Sequence, residues 1–199
     1  MKKYYAVLKG REPGIYDSWD ECKKQIDGFP KAEYKGFKTK KEADAYMRGE
    51  DPTAFDVLKE GLCAFVDGSF DSKKGRYSFG IVFINNGETE TLNGVGDNEE
   101  AATMRNVAGE LRGAMKAMQY AVEKVFKEIN IYHDYEGIAA WAEGRWKTNL
   151  KCTAAYKEFC EKMYGKLKVN FIKVPAHSGV IYNEMADKLA KEALKEEDK

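Results

Sequence analysis

Hydrophobic and polar positions alternate along the first part of the chain in a way that predicts a small α+β domain. Apolar and polar positions alternate in YYAVLKG, which predicts a strand, and two more strands are predicted in GIY and AEYKGF. The motifs SWDE and TKKE match the capping-box pattern, with Ser18 and Thr39 as N-caps, and each predicts the start of a helix. We therefore expect a three-stranded antiparallel sheet with two helices over residues 1–48, followed by a short acidic linker over residues 49–60.

The pattern changes after residue 60, and residues 61–199 have the element order of a mixed α/β sheet. Apolar runs predict buried strands in LCAFVDGS, EINIYHD and KVNFIKV, while YSFGIVFIN and ETLNGVG predict a hairpin closed by NNG. Helical spacing predicts a long amphipathic helix over residues 103–126, shorter ones in YEGIAAWAEG and TAAYKEFCEKM, and a last helix over residues 181–194. This order predicts a five-stranded mixed sheet flanked by helices.

Composition narrows the class of protein. The chain has 199 residues, 43% of them hydrophobic, and no apolar run long enough to span a bilayer. The opening MKKYYAVLKG lacks the apolar core of a signal peptide, and the four cysteines form no zinc-binding spacing. We therefore expect a cytoplasmic protein with reduced thiols and no membrane partner.

Charge is distributed unevenly between the two parts. The net charge is zero, but residues 1–48 hold twelve Lys and Arg against eight Asp and Glu, and the remainder holds 21 against 25. A basic module beside an acidic one is typical of a binding domain joined to a domain with an acidic site.

Four acidic residues stand where a sheet could bring them together. Asp67 and Asp134 directly follow predicted buried strands, Glu110 lies on the long helix, and Asp187 lies on the last helix, one turn after Asn183. Strand ends in open α/β sheets are where sites collect, so these carboxylates would meet if the two strands are neighbours. Taken singly, each acid also fits a strand terminus or a solvated helix face.

Four gathered carboxylates would repel one another and would require cations to remain ionised. An oxygen-only set of donors suits Mg²⁺, with Mn²⁺ as a substitute. Two such ions form a clamp for in-line displacement at phosphorus.

The motifs together resemble the type 1 ribonuclease H family. DGS at 67–69, NVAGEL at 106–111, IYHDY at 131–135 and AHSG…NEMADKLA at 176–190 follow the family's order and spacing, over about residues 61–194. The resemblance implies that the four acids hold two Mg²⁺ ions and that the RNA strand of RNA–DNA hybrids is hydrolysed to 5′-phosphate and 3′-hydroxyl ends. It also implies a role for His177 in proton transfer or product release. His133 has no counterpart in the family, and we expect it to be structural.

The same resemblance implies how the catalytic domain contacts its substrate. Asn106 matches a residue that contacts the hybrid, although a helix-start residue bonding its own backbone is an alternative. Family members often place a Thr immediately before this Asn to bind a DNA phosphate; here Arg105 occupies that position and Thr103 lies two residues earlier. Either could bind phosphate. A lysine-rich handle is missing, since only AEGR separates Trp141, which could be a core residue, from the next tryptophan.

Residues 3–47 resemble the hybrid-binding domain found at the front of many ribonucleases H, which is related to a caulimovirus viroplasmin domain. The match lies in the pattern YAV…G…W.EC…FP. It implies that Trp19 and Tyr34 pack on DNA sugars beside Tyr5, and that Lys35 binds a phosphate. Tyr5 and Trp19 could instead be core residues of so small a domain.

Two other functions are compatible with the same fold. One is a non-catalytic RNA–DNA hybrid-binding protein, and the other is an integrase-like strand transferase. Retention of all four acids disfavours the first, and the DGS and AHSG loops with the N-terminal domain disfavour the second.

Overall fold

The computed structural model describes residues 3–37, 39–47, 61–96, 98–174 and 181–196. The chain divides into two compact units, residues 1–59 and 60–199. The predicted linker at 49–60 lies outside the described residues, so its boundaries stay a prediction. None of the described helices is long and apolar enough to cross a membrane.

The N-terminal unit is a three-stranded antiparallel sheet with two helices. Its elements are β1 (Tyr4–Lys9), β2 (Gly14–Tyr16), α1 (Trp19–Ile26), β3 (Glu33–Phe37) and α2 (Lys40–Met47), and the strand order is β2-β1-β3. The backbone N–H of Glu42 donates to Thr39 Oγ1 at 3.2 Å, and that of Thr39 donates to Glu42 Oε2 at 2.8 Å. The second predicted capping box is thus formed, and it begins α2 where the sequence predicts.

The second unit is a five-stranded mixed sheet flanked by helices. Its elements are β4 (Leu62–Asp71), β5 (Arg76–Asn85), β6 (Glu88–Gly96), α3 (Glu99–Ala102), α4 (Asn106–Glu123), β7 (Glu128–His133), α5 (Gly137–Ala142), α6 (Lys151–Tyr164), β8 (Lys168–Lys173) and α7 (Ile181–Glu196). The strand order is β6-β5-β4-β7-β8. β5 is antiparallel to both β4 and β6, and β4, β7 and β8 are parallel. The predicted fold class is confirmed for both units.

Two predicted boundaries are wrong. β4 does not end at Asp67 but continues to Asp71, because its antiparallel pairing with β5 extends from Cys63 to Asp71. The helix predicted over residues 103–126 begins only at Asn106 and ends at Glu123, and Arg105, with a φ of 55°, separates it from α3. A residue in this conformation cannot continue a right-handed helix.

The sheet of the second unit has helices on both faces. Side chains alternate along β4 and β5, so the face of Val66, Gly68 and Phe79 is opposite to that of Asp67 and Gly80. The main core lies on the first face, where Val66 and Phe79 pack with α4, α5 and α6. The other face receives α7 at Gly80. The end of the sheet where Asp67 lies is therefore flanked by α4 on one face and by α7 on the other.

Candidate active site

Asp67 and Asp134 lie at the same level of the sheet on neighbouring parallel strands. The last paired residues of β4 and β7 are Phe65 and Tyr132, and each aspartate follows its paired residue by two positions. The backbone N–H of Gly68 donates to Asp67 Oδ1 at 2.7 Å, which orients this carboxylate. The predicted juxtaposition of the two strand acids is therefore present in the fold.

Glu110 reaches this edge because α4 lies directly on the backbone of β4. A Cβ built on Gly68 would lie 2.6 Å from the backbone nitrogen of Glu110. A Cβ built on Gly109 would lie 2.8 Å from Gly68 Cα and would collide with the carbonyl oxygen of Ser78. Only residues without a side chain permit this approach, and it buries Glu110 to 1% exposure.

Asp187 is brought to the same edge by a glycine contact on the other face. Gly80 pairs with Asp67 across the β4–β5 ladder, and a Cβ on Gly80 would lie 2.6 Å from the backbone nitrogen of Ala190 in α7. Asp187 lies one turn before Ala190, and its Oδ2 accepts a hydrogen bond from Lys191 Nζ at 2.7 Å. The last helix therefore delivers an acid together with its own cation.

The acids perturb one another's ionisation. Burial raises the pKa of Asp67 to about 7, and repulsion from Asp134 and Asp187 adds to this, while Gly68 and Lys191 oppose it. Burial also raises the pKa of Glu110 to about 9, with repulsion from Asp134 and Asp67 next and a backbone hydrogen bond from Tyr135 opposing. The four carboxylates thus share one electrostatic neighbourhood in which ionisation is unfavourable.

The donor set fits divalent cations in its chemistry but does not form a closed cage. Within the described ranges, no three His, Cys, Asp or Glu side chains are arranged to hold a metal ion. Glu110 Oε2, however, is buried without a hydrogen-bond partner, and a buried carboxylate oxygen needs a proton or a cation. All four predicted ligands offer oxygen, as Mg²⁺ prefers. Binding ions would require side-chain rotation within the same edge.

The three predicted substrate-binding residues of the second unit lie together at the start of α4, and all are exposed. The Thr103 hydroxyl donates to the carbonyl oxygen of Glu100 at 2.6 Å, so it is engaged locally. Arg105, with its φ of 55°, caps α4 without a side-chain hydrogen bond. No described residue hydrogen-bonds the Asn106 side chain, so the alternative of a self-bonding helix-start residue is not supported.

Of the two histidines, only His133 lies within the described residues. His177 lies outside the described residues, and its role stays a prediction. His133 is buried; its Nδ1 lies 2.9 Å from the carbonyl oxygen of Tyr135 and its ring packs edge-on against Phe171. Burial lowers the pKa of His133, which fits the structural role expected for it.

An aromatic surface on the N-terminal unit contains the three predicted aromatic binding residues. The ring centroids of Tyr5 and Trp19 are 5.5 Å apart, and those of Trp19 and Tyr34 are 5.9 Å apart. Trp19 and Tyr34 are 43% and 44% exposed, which argues against a purely core role. We call Tyr5, Trp19 and Tyr34 the aromatic surface.

Lys35 does not share this surface in the fold. It follows Tyr34 in β3, and successive strand residues point to opposite faces. Its Nζ lies 5.6 Å from the ring centroid of Phe37 and 5.9 Å from that of Tyr46, on the side of the unit's small core. A phosphate contact by Lys35 would therefore form beside, not on, the aromatic surface.

The region of the missing handle is a compact aromatic cluster. Trp141 is buried in the main core, as the sequence allowed, and Trp146 is 40% exposed with its ring edge-on at 5.5 Å. Arg145 is held by Glu136 at 2.8 Å and Glu143 at 2.6 Å. A cation of this segment is thus already neutralised locally.

Sequence reasoning missed Lys191 and the glycine contacts. The spacing of Asp187 and Lys191 is a helical ion-pair spacing that the sequence displays. Gly80 carried no such signal, because its packing depends on a helix that arrives from a distant part of the chain.

Comparison with solved structures defines the fold. The second unit is similar to the structure of RNase H1 from Halobacterium salinarum NRC-1, with a TM-score of 0.58 and 21% identity over 68% of this chain and 98% of that one. It is also similar to LC11-RNase H1 solved in complex with RNA/DNA hybrid, with a TM-score of 0.52 and 15% identity over 67% of this chain and 99% of that one. The fold is that of the ribonuclease H-like class.

Sequence comparison then gives the family. Residues 59–195 match the RNase H family model, and residues 3–47 match the model of the ribonuclease H1 N-terminal domain. Ribonuclease H1 of Rattus norvegicus is 26% identical over 261 residues, covering 97% of this chain and 90% of that protein. The chain belongs to the RNase H family, and the expectation of a ribonuclease H enzyme is confirmed.

Proposed function

We propose that this protein cuts the RNA strand of RNA–DNA hybrids by two-metal-ion hydrolysis, leaving 5′-phosphate and 3′-hydroxyl ends. The observation that carries the proposal is the convergence of four carboxylates from β4, α4, β7 and α7, with Glu110 Oε2 buried and unpartnered among them. Gathering buried carboxylates is energetically unfavourable, and clusters of this kind are typical of functional sites.

Asp67, Glu110, Asp134 and Asp187 would hold the two ions, Mg²⁺ or Mn²⁺. When bound, the ions supply Lewis acidity to the attacking water and to the leaving oxygen. The chain's own part is to aim the carboxylates: the Gly68 N–H holds Asp67, and Lys191 holds Asp187 at 2.7 Å. His177 would assist proton transfer or product release, on the strength of the family resemblance alone.

Substrate binding would be divided between the two units. The start of α4, with Thr103, Arg105 and Asn106, would contact the hybrid one helical turn from Glu110. The aromatic surface of the N-terminal unit would stack on the DNA strand, a mode of binding that tolerates any sequence. Two features support a hybrid as substrate: the family match of both units, and the similarity of the second unit to LC11-RNase H1, which was solved in complex with RNA/DNA hybrid.

The test is parallel digestion of labelled RNA–DNA hybrid, duplex RNA and duplex DNA by the full chain, with Mg²⁺ and with EDTA. We expect cleavage of the hybrid alone, abolished by EDTA, with products from which a phosphatase removes a 5′-phosphate. Asp67→Asn should abolish cleavage and leave hybrid binding measurable. Cleavage that survives EDTA or Asp67→Asn would refute the metal site.

A matched control for Asp67→Asn is Asp71→Asn, four residues further along β4, where the carboxylate accepts from the backbone N–H groups of Lys73 and Lys74 in the turn. This variant should retain cleavage. Binding of hybrid without any cleavage by the wild-type chain would favour the alternative of a non-catalytic hybrid-binding protein. The cytoplasmic location expected from the sequence is proposed too, and cell fractionation tests it.

A further inference from the structure

A cavity of about 300 Å³ lies among α3, α4 and α6 of the second unit, and none of the four clustered acids lines it. Leu111, Met115 and Tyr156 form its apolar walls. Its volume is about twice the 150 Å³ that accommodates benzene in an apolar protein cavity. The space therefore suits one aromatic ring with a short polar extension.

The cavity also contains a cation without a partner. Arg112 lines it from α4, and its Nε is buried with no hydrogen-bond partner. Among the residues that the structure describes, none forms a hydrogen bond or ion pair with the Arg112 guanidinium. Arg112 is partly exposed, but its buried Nε–H lacks an acceptor, and an anion in the cavity would supply one.

The charges around the cavity indicate how much negative charge a ligand would carry. Lys151 lines the cavity with Arg112, and among the described residues the single acid there is Glu100, whose Oε1 accepts from the backbone N–H of Lys151 at 3.2 Å. The charged lining thus has a net charge of +1, from two cations and one carboxylate. One negative charge on a ligand would neutralise these described charges, and the ligand's carboxylate would lie beside the one buried donor, Arg112 Nε.

We propose that this cavity is a binding site for a small organic monocarboxylate with an apolar body of about one ring. The carboxylate pairs with the Arg112 guanidinium, whose planar fork matches two carboxylate oxygens. The apolar body packs between Leu111, Met115 and Tyr156. None of the residues proposed to contact nucleic acid lines the cavity, and the cavity adjoins their segment through Cys152, whose Sγ lies 3.2 Å from Met104 Sδ.

A cysteine in the lining, Cys152, can report whether the cavity is occupied. Cys152 lines it and is the one partly exposed cysteine of the four, since Cys22, Cys63 and Cys160 are buried. A bound ligand should shield Cys152 from a thiol-alkylating reagent. Alkylation rates, followed by mass spectrometry of the intact chain, then report occupancy alongside direct calorimetric titration.

Three probes separate the two parts of the proposed ligand. 3-Phenylpropanoate carries both the carboxylate and the ring, 3-phenylpropanamide keeps the ring but not the charge, and acetate keeps the charge but not the ring. We expect 3-phenylpropanoate to bind once per chain and to slow alkylation, and the other two to bind at least about tenfold more weakly, as loss of a charged hydrogen bond or of ring burial predicts. Equal binding of the carboxylate and the amide would overturn the proposal.

Variants locate the site. Arg112→Gln should weaken the binding of 3-phenylpropanoate by at least about tenfold, since a hydrogen bond to a charged group is lost. Lys116→Gln removes a cation from the same helix without touching the cavity and should leave binding unchanged. Equal affinity of both variants, or no heat of binding by the wild type at about 10 mM, well above a millimolar dissociation constant, would overturn the site.

Discussion

Gly68 and Gly109 bring the backbones of β4 and α4 into direct contact: a Cβ added to Gly109 would lie 2.8 Å from Gly68 Cα. The neighbours of these glycines matter, because Asp67 precedes Gly68 and Glu110 follows Gly109. Two predicted metal ligands thus flank the close helix–strand contact of this face. Their separation is determined by a contact that no larger residue could make.

Gly109→Ala should therefore damage both stability and activity. The new methyl group would meet backbone atoms of Gly68 and Ser78, which cannot rotate away, so α4 must shift outward. We expect a loss of about 3 kcal/mol in the free energy of unfolding. Hybrid cleavage should fall about 100-fold, as displacement of a catalytic group by about 1 Å predicts. Chemical denaturation and initial cleavage rates measure the two effects.

Gly113→Ala is the matched control on the same helix. Its new methyl group would lie 3.5 Å from the Cβ atoms of Phe79 and Val66, an ordinary contact distance. Helix propensity favours alanine over glycine by up to about 1 kcal/mol. Equal effects of the two substitutions would show that the Gly109 contact has no special role.

Glu110→Gln should stabilise the protein while abolishing cleavage. The pKa of Glu110 is raised to about 9, so the folded state binds the proton more tightly than the unfolded state, whose pKa is near 4.5. As pH rises from about 4.5 to about 9, Glu110 ionises in the unfolded state but stays protonated in the folded state, and this progressively removes stability. We expect the variant to melt several degrees higher than wild type at pH 7.5 in EDTA, at about 2–4 °C per kcal/mol.

The pH and the metal provide the controls for this prediction. The difference in Tm should vanish near pH 4, where Glu110 is protonated in the unfolded state as well as in the folded state. Mg²⁺ should raise the Tm of wild type but not of the variant. Glu123→Gln, on the exposed end of the same helix, should stay within about 0.5 kcal/mol of wild type. A wild-type protein more stable than Glu110→Gln at pH 7.5 in EDTA would contradict the raised pKa of Glu110.

Trp19→Ala should weaken hybrid binding without unfolding the N-terminal unit. Trp19 is 43% exposed and lies between Tyr5 and Tyr34 with its ring tilted against both. Its removal should therefore affect stacking on a base or sugar more than it affects core packing. We expect affinity to fall by about 1–3 kcal/mol, with an unchanged salt dependence. Binding is measured on the Asp67→Asn background, so that the hybrid stays intact, and Trp19→Phe should retain most of the affinity.

Lys35→Ala tests a different contribution of the same unit. If this lysine binds a phosphate, as we expect, the slope of log affinity against log salt should fall in magnitude by about 0.9. An unchanged slope would mean that Lys35 binds no phosphate and acts within the unit, as in its contacts with Phe37 and Tyr46 on the opposite face.

Val125→Gly should stabilise the second unit at the end of α4. Val125 has a φ of 64° and is 72% exposed, and the Phe126 N–H donates to the Ala121 carbonyl at 2.8 Å, which is the hydrogen bond of a Schellman ending. A β-branched residue is strained in this conformation by about 1–2 kcal/mol, and glycine is not. Thermal melts should show a gain of about 2–4 °C per kcal/mol, and Val125→Ala, which keeps Cβ, should show a smaller one.

The elements of this fold could be predicted where the signal is local. The apolar run before Asp67, the turn at Asn86 and Gly87, and the Thr39 capping box each depend on neighbouring residues, and each appears as predicted. The end of β4 could not be predicted, because its last residues are ordered by pairing with β5. The break at Arg105 could not be predicted either, because nothing in an arginine side chain favours a positive φ.

The candidate site was predictable in its residue types and not in its geometry. Strand order determines whether Asp67 and Asp134 are neighbours, and this is a non-local property. The face of Lys35 follows from strand alternation, yet the resemblance of the domain suggested a phosphate contact beside Tyr34. Arg112 gave no signal, because an unpaired cation is recognised only when its surroundings are known.

The parallel pairing of β4 with β7, and the seating of α7 on Gly80, have a consequence for synthesis of the chain. Asp187 and Lys191 leave the ribosome long after Asp67 and Glu110, so a nascent or prematurely released chain contains an incomplete set of the proposed ligands. A truncated product would therefore be unable to degrade nucleic acid, and nuclease activity would arise only in molecules whose translation had passed the final helix.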